Sequence, residues 1–179
     1  MTFGINLTIT ETAVLQSLRT FLLQILPTGT EVVRGLQNRV AMPQGASVVM
    51  TPLIRTRLST NTDTWSSAPD ADTLSVYSSK QIDVQLDCYG PGSGDNAEVI
   101  FTLFRDQFAF AALTAGGADI APLFTTPPRQ MTFINGEDQY EERWMTTVSI
   151  EMNPIVTVTQ DFASVAAVDL ISVDATYPP

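Results

Sequence analysis

Histidine is absent from this 179-residue chain, and cysteine and lysine occur once each, as Cys88 and Lys80. Histidine is the side chain that most readily moves protons near neutral pH, and it is the commonest metal ligand. Without it, Ser–His and Cys–His nucleophilic pairs cannot be built, and most zinc sites lose their usual donors. One cysteine cannot close an internal disulfide. No run approaches the roughly 18 apolar residues of a membrane-spanning helix. The first twelve residues carry no basic side chain, so no secretory signal is expected and the Asn6-Leu7-Thr8 sequon has no route to glycosylation. A chain lacking these parts is expected to hold other molecules rather than transform them, with no catalytic residue, cofactor or metal.

What is present is core material and acid. Hydrophobic residues make up 44% of the chain and charged residues 16%, a globular balance that includes nine Phe, two Trp and four Tyr. The length suits a single domain, 1–179. The net charge of −10 is unevenly spread. Residues 1–60 hold five arginines against two glutamates, +3, and residues 61–179 hold four basic and seventeen acidic groups, −13. Such a protein should not grip nucleic acid through its phosphates, although like charge lets DNA slide past without sticking. Charge polarity also favours head-to-tail contact between copies of one chain.

Periodicity divides the chain into elements. Residues 10–26 read as a helix with Val14, Leu18, Phe21 and Ile25 on one stripe, started by Thr8 with Glu11 or by Thr10, and ended at Pro27 and Gly29. Residues 31–37 and 46–59 read as strands, the second with Pro52 at an edge or bulge. Residues 60–72 read as a polar loop carrying Trp65. In 75–89, Ile82, Val84, Leu86 and Cys88 alternate with Asp83, Gln85 and Asp87, so one face meets the core and the other meets water or a polar partner. A Gly-rich turn leads to a second helix over 96–113, with Ile100, Phe104, Phe108 and Ala111 inward. Residues 116–128 read as irregular. Strands are expected at 130–134 and 144–152, and further extended segments follow. The order of elements predicts an α+β fold: a mostly antiparallel sheet, two main helices packed on it, and an extended C-terminal segment.

Each candidate site has a plain alternative. The turn 89–96 lacks the Lys-Ser/Thr ending of a phosphate loop, and Gly90, Gly92 and Gly94 miss the dinucleotide spacing. A turn with Asp95 as N-cap accounts for it. The acidic run Glu137, Asp138, Glu141 and Glu142 lacks the ligand spacing of a calcium loop. Asp83 and Asp87, roughly 13 Å apart along a strand, are too far apart for a glycosidase pair. Arg34, Arg39, Arg55 and Arg57 serve either solubility or contact with acidic groups of another subunit, and Trp65 is either a docking anchor or a lid over the core.

Three stretches together resemble the bacteriophage neck (tail) terminator family. They are VVRGLQNRVAMPQGASVVMTPLIRTRLSTNTDTW, QIDVQLDCYGPGSGDNAEVIFTLFRD and FINGEDQYEERWMTTVSIEMNPIVTVTQDFA. The particular echoes are Gln37-Asn38 with Pro43, the strand ending Tyr89-Gly90 before a helix, and Gln139-Tyr140-Glu141 with Arg143 before a strand. The resemblance implies a non-enzymatic virion protein with an α+β fold. It implies a six-fold ring that caps the tail tube, stops its polymerisation and docks to the head connector, next to tube, head-completion and sheath proteins, with DNA passing through the opening. The segment 165–179 departs from the pattern and reads as a possible arm. Two other readings remain open at this point: a tail-tube or baseplate protein, and a carbohydrate-binding surface module using Trp65.

Overall fold

The computed structural model describes residues 4–38, 41, 43–67, 72–134, 136 and 138–159. Arg39, Glu137 and the expected arm at 165–179 lie outside them. Among the described residues are three helices and twelve strands, the α+β class that the sequence order implies.

Helix α1 (Glu11–Ile25) begins where the Thr10 side chain accepts a hydrogen bond from the Ala13 amide at 3.2 Å. That settles the choice of cap, because the Thr8 hydroxyl instead accepts from the Ile155 amide at 2.9 Å. Val14, Leu15, Leu18, Phe21 and Leu22 are buried along one side. Each such side chain contributes about 1.5–3 kcal/mol on burial, so this stripe fixes the helix to the sheet.

That sheet has the order β2 (Glu31–Arg34), β3 (Ser47–Arg57), β6 (Lys80–Tyr89), β11 (Arg143–Met152) and β7 (Ile120–Thr125), with β8 (Arg129–Gln130) also paired to β11. Only β2 and β3 run parallel; the other pairs are antiparallel. Ile82, Val84, Leu86 and Cys88 of β6 join Val148 and Ile150 of β11 in the core under the helices. Pro52 lies just past the β2 pairing, which ends at Met50, and is accommodated by a register shift between Pro52 and Ile54, the edge or bulge that its missing amide donor implies.

A second sheet has the order β1 (Ile5–Leu7), β12 (Ile155–Thr159), β5 (Thr73–Tyr77) and β4 (Thr62–Ser66). It extends the first. Strands β3, β6 and β11 continue into β4, β5 and β12 across one transverse bend, bridged by hydrogen bonds from Leu58 N–H to Ser79 O at 3.0 Å and from Ser78 N–H to Pro154 O at 3.3 Å. Strands β9 (Phe133–Ile134) and β10 (Tyr140–Glu141) form a small separate hairpin.

Several sequence expectations need correction. Residues 60–72 include strand β4, whose Thr and Ser side chains look loop-like but pair with β5 in full register. The strand expected over 75–89 is interrupted at the bend. The expected helix 96–113 is two: α2 (Ser93–Leu103) and α3 (Gln107–Thr114), separated where the Asp106 carboxylate accepts the Phe108 amide at 3.0 Å and restarts the helix. The break rotates α3, so Ala109 and Leu113 are buried while Phe108 is 44% exposed. The N-cap of α2 is Gly92 in the left-handed conformation, not Asp95. Strand β7 lies inside the stretch read as irregular; Pro122 and a register shift against Ser149/Ile150 hide its alternation.

Candidate functional site

The sequence-predicted residues fall into two clusters on the six-stranded sheet, with Trp65 apart from both: one beside α1, where register sets Arg34, Arg55 and Arg57 level with Leu86, Ile82 and Lys80 of β6, and one at the Tyr89 end. Beside α1, Glu11 on the helix's first turn binds both Arg34 at the end of β2 and Arg55 on β3. Both arginine side chains remain about two-fifths exposed. Gln37 and Asn38 follow in the exposed stretch after β2, next to Leu36, which is 91% exposed with a positive φ of 56°. Arg57 lies further along β3, directly opposite Lys80 of β6.

At the other end, Arg143 opens β11 opposite Tyr89. Its Nε and Nη2 donate to Asp87 Oδ1 at 3.0 and 2.8 Å, while Gln85 Nε2 donates to Asp87 Oδ2 at 2.7 Å. Asp87 is almost fully buried, so these bonds replace the water a carboxylate would otherwise hold. The guanidinium also lies 5.6 Å from the centre of the Tyr89 ring, and that ring meets Phe133 edge-on at 5.3 Å. The Arg143 guanidinium is thus held by Asp87 within the subunit, while its side chain stays about a quarter exposed. Tyr140 is open to solvent beside it, and Glu141 and Glu142 line a shallow groove with Gln130, Met131 and Phe133. Gln139 leads into the same hairpin.

Burial, and secondarily the Asp87 charge, pushes the Cys88 thiol up from 9.0 to about 12, so it behaves as core hydrocarbon. The Tyr89 phenol is raised by burial first, then by Asp87, against the lowering effect of Arg143. Further along the same face, Asp83 Oδ1 accepts from Ser149 Oγ at 2.6 Å and Gln81 Nε2 at 2.7 Å. This is a hydrogen-bonded polar face in which no carboxylate pair brackets a cleft. Among the described residues no cluster of three or more Cys, Asp or Glu side chains could hold a metal.

Trp65 is on strand β4, opposite Leu74 and 55% exposed, rather than in a loop. Sequence reading passed over Glu11, Lys80 and Phe133 as site residues, and weighed Asp87 only as half of a glycosidase pair. For Glu11 no local signal exists, because its two arginines lie 23 and 44 residues away.

The spacing of the clusters matters. Lys80 and Tyr89 mark the two ends of β6, nine residues and roughly 30 Å apart. A basic group at one end and an acidic, aromatic hairpin at the other cannot meet within one subunit, but they suit head-to-tail contact between copies.

The model of the phage neck terminator protein family matches residues 12–175. The chain belongs to that family. It is therefore a structural terminator component of a phage tail, of a family that is not enzymatic. Among solved structures, the chain is similar to one in the cryo-EM structure of an extracellular contractile injection system, PVC sheath/tube terminator in extended state, with a TM-score of 0.45 at 12% identity. That match takes in 96% of this chain, which spans 64% of the length of the other. No curated protein sequence matches this chain.

Proposed function

We propose that this terminator forms a six-fold ring at the neck that caps the tail tube, stops its polymerisation and offers the docking face for the head-completion connector. The observation that carries the reading is the family match over residues 12–175. The whole chain acts as one domain, with 165–179 as an arm, and assembly takes place in the host cytoplasm before the ring is built into the virion. The separation of Arg34, Arg55 and Arg57 from Gln139, Tyr140 and Glu141 supports a closed head-to-tail ring, since heterologous contacts need two different patches on each subunit. Gln37, Asn38, Arg39 and Trp65 belong to the surfaces that meet neighbours, whether ring partners, tube or sheath. A net charge of −10 keeps DNA from binding the wall it passes.

Arrest of tube growth is the test. Purified chain added to polymerising tube protein should stop further elongation. Unchanged growth, or filaments formed by this chain alone, would instead favour a tube or baseplate role.

A further inference from the structure

Register sorts the side chains of the four-stranded sheet by chemistry. On one face Ile5 and Leu7 of β1 stand opposite Val158 and Val156 of β12, these opposite Leu74 and Val76 of β5, and these opposite Trp65 and Asp63 of β4. On the other face Asn6, Thr157, Ser75 and Thr64 form one row, Thr159, Thr73 and Ser66 another, and Ile155, Tyr77 and Thr62 a third. One face is apolar except for Asp63, and the other is mainly hydroxyl.

An antiparallel sheet with one apolar face packs that face against another layer. No layer of the described residues does so here. The four strands make their substantial contacts with one another, and none of these apolar residues belongs to the core cluster. Ile5 and Leu7 are exposed, and the valines and Leu74 of the central strands are only half-buried. Strand parity shows where the face points. Leu74, Val76, Lys80, Ile82 and Val84 alternate in step across the bend, as do Ile150, Met152, Val156 and Val158. This face therefore continues the side that α1 covers over the core.

Just at the bend, Arg57 and Lys80 stand directly opposite each other. Like charges so placed are destabilising unless an anion meets them. Neither makes an ion pair among the described residues.

We infer that the apolar face, with Arg57 and Lys80 at its inner border, is covered by a second copy of this chain. The inference rests on the ring reading above, which supplies the copy. Four strands of about five residues give a footprint of roughly 300 Å², short of the roughly 800 Å² per partner that a stable interface buries. The contact therefore runs on past the bend across Arg57 and Lys80, and an acidic surface must meet them. Asp138, Glu141 and Glu142 are such a surface, but they lie near the far end of β6, roughly 30 Å away in the same subunit. A neighbouring copy brings them within reach.

Two full-length variants test this. With p-benzoylphenylalanine in place of Val76, irradiation of mixed ¹⁵N-labelled and unlabelled protein should give cross-links joining labelled to unlabelled chains. Leu74→Glu with Val158→Glu should keep the circular dichroism spectrum and weaken self-association at least tenfold by sedimentation velocity. Cross-links confined to single chains, including any to residues 160–179, would overturn the inference. So would cross-links only to a tube protein, or unchanged self-association of the double variant. Self-association through this face without arrest of tube growth would leave the inference standing and remove the terminator reading instead.

Discussion

Cys88 and its neighbour Asp87 show how differently two adjacent side chains serve the same strand. The thiol points into the core and the carboxylate points to the polar face, where Arg143 and Gln85 hold it. With the thiol pushed up to about 12 in the folded state, the unfolded chain ionises first as pH rises. Stability is full below about 9 and falls between there and about 12, by about 1.4 kcal/mol for each pH unit of that window. Urea midpoints that fall across that range, and do so less in Cys88→Ala, would bear this out. Arg143→Met leaves the Asp87 carboxylate buried without its cation and should cost about 3 kcal/mol in urea unfolding. A loss below 1 kcal/mol would mean that water reaches Asp87 freely. The alternation of Asp83, Gln85 and Asp87 was legible in the sequence, and so was the burial of Cys88. The ion pair was not, because Arg143 lies 56 residues from Asp87.

At the scale of elements, the sequence revealed those that bury one clean stripe. Helix α1 and strands β6 and β11 follow their periodicity closely. The misread elements lack that signal for separate reasons. β4 is short and hydroxyl-rich, β7 carries Pro122 and a bulge, and the helix expected over 96–113 restarts at Asp106. The bend is silent in sequence because alternation runs through it in step. The turn from β6 into α2 depends on Gly90, which has a φ of 83° and whose added Cβ would lie 2.9 Å from the Gly45 carbonyl oxygen. Gly90→Ala should therefore destabilise by about 2 kcal/mol or more, since strain in the left-handed region adds to a backbone clash. A thermal midpoint within 1 °C of the parent would show that the turn can relax.

As a whole molecule, the subunit looks built to be incomplete. Its core is closed under α1, α2 and α3, while a second sheet extends beyond the helices with both edges and an apolar face open among the described residues. Its Arg57–Lys80 pair and its acidic, aromatic hairpin lie at opposite ends of the main sheet. Composition gave an early indication of this design, through missing histidine and a polarised charge, but the placement of the clusters required the fold. The reading as a terminator is tested most directly by electron microscopy of the purified chain mixed with tail tubes. The account predicts a ring at one end of each tube and none along its length. Decoration along the tube wall, or tubes with both ends bare, would contradict it.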